Sequence, residues 1–295
     1  MSLDLSSVTL GDFELYTIEN GRFKLDGGAM FGVVPKSLWE RKIPADENNC
    51  IHMALKSLLI RSRKTGRLYI VDLGIGDKFN DKMSEIYGIQ FEKGDLDTSL
   101  AHHGFSRSDI TDIIFTHLHF DHCGEISSFN EEGKAVINFP DAELWITKQQ
   151  WETANNPNAR EKASFLPENL EPIDSSRNLN LIEEGYEFEP GLTNIVVSGH
   201  TLGQQLPVIK AAGQTIVFAA DLYPTYAHIP IPWVMGYDMY PATTLLEKEE
   251  IAQKAIDGNW YFYLQHDAEH ELVTMKEHKG KPTMGESLRL FDLED

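Results

Sequence analysis

Thr116-His117-Leu118-His119-Phe120-Asp121-His122-Cys123-Gly124 is the stretch of this sequence best equipped for chemistry. Three imidazoles and a carboxylate fall within six residues, directly after the apolar run Ile113-Ile114-Phe115. In an extended or turning backbone, alternate side chains share one face. His117 and His119 can therefore reach one metal ion, while Asp121 and His122, past the bend, can reach a second. Imidazole and carboxylate are ligands that divalent zinc, iron, cobalt and manganese accept. The plain alternative is a polar loop after a buried strand. With 11 His in 295 residues, three of them beside an Asp at this spacing is improbable by chance, so the stretch reads as a metal site.

The elements that must position these groups are short apolar strands. Residues 112–116 form the strand that delivers the motif. Residues 53–62 and 68–73 read as two strands joined at Thr65-Gly66, the second ending in Asp72-Leu73-Gly74-Ile75-Gly76-Asp77. The glycine spacing there matches neither common nucleotide fingerprint; Asp72 is expected instead to hold the metal-ligand loop through hydrogen bonds. Residues 195–197 lead into Ser198-Gly199-His200, residues 215–220 into Asp221-Leu222-Tyr223, and residues 260–264, read as the final strand, into Gln265-His266-Asp267. Taken singly, His200 reads equally as a turn residue, Asp221 as a helix cap and His266 as a core histidine. Their shared placement after apolar runs joins them to the motif, because sites are assembled from loops at one edge of a scaffold. His102 and His103 close a helical segment over 96–103 and read as helix-end residues rather than ligands.

The remaining segments frame a pocket. Residues 8–20 read as an edge strand closed by the Asn20-Gly21 turn signal. Asp26-Gly27-Gly28-Ala29-Met30-Phe31-Gly32-Val33-Val34-Pro35, followed by Leu38-Trp39, is a glycine-punctuated loop loaded with large apolar side chains. It reads as a buried connection, as one wall of a substrate pocket, or as a dimer surface. A capped turn over 106–110, strands over 135–139 and 143–147, and a helix from 148 follow. The polar 155–172 region, with its Asn-Pro, Leu-Pro and Glu-Pro breaks, reads as an insertion or lid, since apolar periodicity resumes at Leu179. A helix over 243–257 turns its Lys/Glu face outward. Without repeats or linkers the economical division is one domain over 1–295, with 22–50 as pocket or dimer loop and 155–178 as a lid-like insertion.

Composition limits the partners. Twenty-six basic against 46 acidic residues give a formal charge of -20, which repels phosphate backbones and anionic membranes. No dense Lys/Arg cluster offsets this, so the expected partner is a small molecule, with no nucleic acid and no membrane. Two cysteines, Cys50 and Cys123, make no disulfide framework and suit a reducing compartment. The acidic N-terminal region carries no secretory pattern in the chain as given, and no window approaches a transmembrane span; a cytoplasmic location is expected.

These residues together resemble the metallo-β-lactamase superfamily. Its His-x-His-x-Asp-His signature is matched by His117, His119, Asp121 and His122; a later Gly-His by His200; a strand-ending Asp by Asp221; and a last strand-end His by His266. The resemblance implies an α/β (α+β) fold, a four-layer αβ/βα sandwich with the site at one sheet edge. It also implies two divalent metal ions, zinc first, with iron, manganese or cobalt as alternatives. His117, His119 and His200 would hold one, Asp121, His122 and His266 the other, and Asp221 would bridge them. True β-lactamases of the family lack the bridging Asp, and oxygen-reducing di-iron relatives carry Glu where His119 stands. The early Gly-Gly-Ala-Met-Phe-Gly-Val-Val-Pro loop and Asp221-Leu222-Tyr223 look like the acyl-homoserine lactonase and methyl-parathion-hydrolase-like group. Many relatives read Gly-His-Thr-Pro-Gly-His; Leu202 and Gln204 depart from that pattern here.

The implied activity is hydrolysis of a lactone or ester by a hydroxide held between two metals, which lower the pKa of shared water towards neutrality. Asp121 would orient it and shuttle a proton, and Tyr223, with Tyr226 as the alternative, would add a hydrogen bond to the oxyanion. Phe31, Trp39, Trp233, Met235 and Tyr237 are the candidate pocket walls. A phosphotriesterase and a glyoxalase II-like thioester hydrolase are the enzymatic alternatives, and a metal-stabilised binding protein is the non-catalytic one.

Overall fold

The computed structural model describes residues 6–294. The chain opens with β1 (Ser7–Leu10), β2 (Phe13–Asp26), β3 (Cys50–Ser62), β4 (Leu68–Val71) and β5 (Asp112–Ile114). A small hairpin of β6 (Ser127–Phe129) and β7 (Ala135–Ile137) intervenes before β8 (Glu143–Thr147) and β9 (Leu179–Ile182). Seven of these form one sheet in the order β1-β2-β3-β4-β5-β8-β9. The second sheet holds β10 (Glu187–Glu189), β11 (Leu192–Val197), β12 (Gln204–Ala211), β13 (Gln214–Phe218), β14 (Tyr261–Tyr263), β15 (Leu272–His278) and β16 (Lys281–Leu288), in that order. Both sheets mix pairings. β4/β5, β5/β8, β8/β9 and β13/β14 are parallel, and each such pair needs a long crossover. The helix Pro241–Gly258 lies within the crossover from β13 to β14.

Side-chain alternation explains why two sheets stack. Leu58, Ile60, Tyr69, Val71 and Ile114 share a core with Leu206, Val208, Val217, Phe262 and Val273 of the other sheet. The residues between them, Leu59, Leu68, Ile70 and Ile113, pack the opposite way, against Leu96, Leu100, Ala154 and Ile173. Strands covered on both faces read as continuous apolar runs, and each fully buried Leu or Ile contributes about 1.5–3 kcal/mol. Ile251, Ala252 and Ala255 of Pro241–Gly258 join the core shared by the sheets. The result is a sandwich of two sheets with helices outside, as the resemblance implies. Among the described residues no helix is long and apolar enough to cross a membrane.

Four local expectations are corrected. The edge strand read over 8–20 is two strands: the chain turns at Gly11-Asp12 between β1, the edge, and β2. β2 lies between β1 and β3 and runs past Asn20-Gly21 to Asp26, its register against β3 shifting between Glu19 and Arg22. Gly21, at φ 110°, absorbs a bulge there, because β3 offers an unbroken partner on both sides. The 22–50 segment is not all loop; it completes β2 and forms the helices Gly27–Phe31 and Lys36–Trp39. Asp26 caps the first of these, its Oδ1 accepting Ala29 N at 2.8 Å. The strand ending before His266 is not the last, since β15 and β16 follow it. In Pro241–Gly258 the polar face is not wholly outward: Lys248 is fully buried, and its Nζ donates to the carbonyls of His228, Pro230 and Trp233 at 2.5, 3.0 and 2.8 Å.

Candidate metal centre

The motif leaves β5 and turns into the short helix Phe120–Cys123. Asp72, just past β4, organises this turn. Its Oδ1 accepts Thr116 N and its Oδ2 accepts Thr116 Oγ1, both at 2.8 Å. Oδ2 also meets His122 Nδ1 at 2.9 Å. Asp72 sits at φ 58°, a conformation costly for a non-glycine residue and typical of functional sites. The following glycines dock backbone on backbone. Leu73 N donates to His122 O and Gly124 N to Gly74 O, both at 2.7 Å, and a Cβ on Gly124 would lie 2.0 Å from Ile75 O. This run supports the ligand loop, as the sequence suggests.

The other candidate ligands arrive from the second sheet. His200 stands in the β11–β12 connection, where Glu247 accepts Ser198 N at 2.6 Å and Gly199 N at 3.0 Å. Gly199 is pressed so closely on Thr244 that a Cβ would lie 2.3 Å from its Oγ1. Asp221 follows β13 after Ala220, another left-handed non-glycine at φ 44°. His266 follows β14, its Nδ1 bonded to Ala54 O at 2.9 Å.

All seven candidate ligands converge. His117 Nε2 and His200 Nε2 lie 3.1 and 3.2 Å from His119 Nδ1. His122 Nε2 and His266 Nε2 are 3.2 Å apart and stand 3.7 and 3.6 Å from Asp121 Oδ2. Asp221 lies between the groups, with Oδ2 3.1 Å from His200 Nε2 and Oδ1 3.2 Å from His266 Nε2. Three sets have ligand atoms within 4.8 Å of one another: His117/His119/His200, His117/His122/Asp221 and Asp121/His122/His266. Two imidazole nitrogens on one tetrahedral ion lie about 3.3 Å apart, so these separations fit divalent metals. The outer nitrogens are all engaged: His117 by Thr116, His119 by Glu161, His122 by Asp72, His200 by Asp238 and His266 by Ala54. Such partners fix the tautomer and leave the inner nitrogen for a metal. Asp221 Oδ1 is buried and accepts no hydrogen bond, an orphan that a cation would satisfy.

Electrostatically the histidines divide into two kinds. Burial, reinforced by His122 and His119, holds the His117 imidazole well below its ordinary range. Burial also lowers His119, with Glu161 opposing. At His122 burial acts against the cation, but Asp121 and Asp221 outweigh it and raise the imidazole well above that range. At His200 Asp221 and Asp238 likewise overcome burial. Burial opposes the charge of Asp221, yet His122, His200 and His266 keep its carboxyl well below the usual carboxylate range.

A cavity of about 220 Å³ opens onto this cluster, lined by His119, Asp121, His200, Asp221 and His266 at its base. Leu25, Met30, Met53, Met235 and Met239 supply apolar wall, Tyr87 and Tyr237 the phenols, and Arg160, Ala163 and Ser164 come from the 155–178 segment. Of the candidate walls, Met235 and Tyr237 are here. Phe31 and Trp39 are buried behind, stacked on each other at 5.1 Å, and Trp233 lines a different cavity. Tyr223 does not reach the site. Its hydroxyl donates to Lys248 O at 2.8 Å within the core, because the turn Ala220–Leu222 sends it inward. Tyr226 donates to Lys42 O and lines another cavity. Glu161 and Asp238 are site residues that the sequence reading missed; each lies in a loop without periodic pattern.

The metallo-β-lactamase superfamily pattern matches residues 56–266, and the chain belongs to that superfamily. An N-acyl homoserine lactonase of Bacillus sp is 33% identical over 107 residues, 36% of this chain and 36% of the relative. The match thus spans little more than a third of that curated relative. A probable metal-dependent hydrolase from Staphylococcus aureus superimposes with a TM-score of 0.83 at 29% identity, covering 95% of this chain and 100% of that one. AidC, a dizinc quorum-quenching lactonase in complex with a product, gives a TM-score of 0.79 at 21% identity, covering 96% and 98%; at that identity the likeness is one of fold. Family and fold together define a metallo-β-lactamase-type domain whose buried histidine and aspartate cluster is suited to divalent metal ions.

Proposed function

We propose that the chain is a binuclear metal-dependent hydrolase of lactones, those with an acyl side chain first among them. The observation that carries this reading is Asp221, which turns one carboxylate oxygen towards each histidine group at the base of an apolar cavity. His117, His119 and His200 would hold one ion, Asp121, His122 and His266 the second, with Asp221 shared. Bound there, divalent metals supply Lewis acidity towards a carbonyl oxygen and acidify water at neutral pH.

The chain's own groups do the rest. Asp121 lines the cavity and turns Oδ2 to His122 and His266, leaving Oδ1 to take a proton from attacking water. As the new C–O bond forms and the ring C–O bond breaks, the same carboxyl returns that proton to the leaving alkoxide. Burial pushes the Tyr237 phenol up to about 12, so it keeps its proton and can donate to the substrate carbonyl. The methionine-rich wall suits a flexible acyl chain. Segments 22–50 and 155–178 act as the two sides of this pocket.

The test is a panel of lactones of graded acyl length, with a thioester, a phosphotriester and a β-lactam, and metal content assayed on the same sample. About two ions per chain and chelator-sensitive lactone cleavage are expected. Asp221→Ala should lower kcat/KM at least ~100-fold with the fold retained. Hydrolysis indifferent to that substitution would sink the binuclear reading.

A further inference from the structure

The insertion carries a carboxylate into the ligand cluster. Glu161 is 2% exposed, and its Oε1 lies 3.3 Å from His119 Nε2. Asn158 fixes it in place: its Oδ1 accepts Glu161 N at 3.1 Å and its Nδ2 donates to Glu161 Oε2 at 3.3 Å. His119 thereby points Nδ1, not Nε2, at His117 and His200. The outer partners of His117, His122 and His266 are Thr116, Asp72 and Ala54, all on the first sheet or the turns leaving it. Those of His119 and His200 are Glu161 and Asp238, on the 158–164 and 235–239 segments, which both contribute to the cavity wall. These segments are tied together, since Arg160 donates to Gly236 O and Asn158 Nδ2 contacts Met239 Sδ at 3.7 Å. A carboxylate so buried is costly unless paired, and one on a ligand's far N–H fixes ring orientation and raises ligand basicity.

We infer that Glu161 is a positioning residue for His119, which makes metal affinity at the His117/His119/His200 position depend on the insertion while the Asp121/His122/His266 position does not. The inference rests on the binuclear reading above. It implies that one ion is held partly by a pocket wall and the other by the sheet scaffold alone.

The test is titration of the metal-free full-length chain with Co²⁺, followed by visible absorption and chelator competition. The wild type should take up two equivalents. In Glu161→Ala one equivalent should weaken about 10–100-fold and its ligand-field bands should shift, while the other stays within about twofold of wild type. Glu161→Gln keeps an oxygen acceptor without the charge, so its loss should be smaller; it also stands in if the alanine variant fails to fold. Two equivalents that weaken together, or neither weakening, would overturn the inference. Fewer than two equivalents in the wild type would overturn the binuclear reading itself, before any variant is made.

Discussion

An imidazole holds a metal well only when its far nitrogen is held too, and in this site the holding groups are more varied than the ligands. Asp72 serves two masters at once, the Thr116 backbone and hydroxyl and the His122 ring. Asp72→Asn should therefore lower affinity for the second metal about 10–100-fold and lower Tm as well, read by Co²⁺ titration and thermal melting; unchanged values in both would show that the ligand loop holds itself. The candidate ligands were legible because histidine and aspartate at strand ends are chemically conspicuous, and Asp72 was legible for the same reason. Glu161 and Asp238 sit in loops whose spacing to the motif carries no signal. The Ala54 carbonyl is a backbone group that any residue type could supply. Tyr223 shows the converse: neighbourhood in sequence placed it beside Asp221, but one turn of backbone buried it against Lys248.

At the scale of elements, the pocket wall depends on how the first helices are pinned to the turn Tyr226–His228. His228 Nε2 meets Met30 O at 2.9 Å, Nδ1 meets Thr225 Oγ1 at 2.8 Å, and the ring stacks on Phe31. Burial, partly offset by the Met30 carbonyl, brings its imidazole down to about 4. Unfolded, it titrates near ~6.5. Between those values the unfolded chain takes up a proton that the folded chain refuses. The stabilisation is therefore complete above the unfolded value and is lost as pH falls towards the folded one. Across that window His228→Gln should remove about 3 kcal/mol of the acid-side decline, measured by urea unfolding at a series of pH values; parallel declines in both proteins would refute the assignment. Apolar runs located most strands, but their limits followed tertiary partners. Asn20-Gly21 carries a turn signal that β3 overrides by pairing past it, and the Lys248 charge is drawn inward by three carbonyls that no helical periodicity announces. β15 and β16 escaped notice because their outer positions, such as Glu277 and Lys281, are exposed and polar.

The whole molecule is two sheets that share one core and meet again at the candidate metal centre. The sandwich itself was implied by family resemblance; strand alternation alone shows that the central strands are covered on both faces, not by what. His117, His119, Asp121 and His122 follow the first sheet's β5, while His200, Asp221 and His266 follow strands of the second. Ions binding across that seam stabilise only the folded chain, each by about 4 kcal/mol at a thousandfold excess over Kd. Chelation should accordingly lower Tm by at least about 5 °C, and calorimetry with and without added Zn²⁺ checks it; a Tm indifferent to metal would mean that the cluster lies empty in the working protein.

The order of synthesis gives that seam a further meaning. The His117–His122 motif emerges from the ribosome well before β14 can pair with β13 and bring His266 into place. Until then the Asp121/His122/His266 set lacks its last member, although His117, His119 and His200 are already in the chain. On the binuclear reading, the Asp121/His122/His266 position would therefore be the later of the two to be completed.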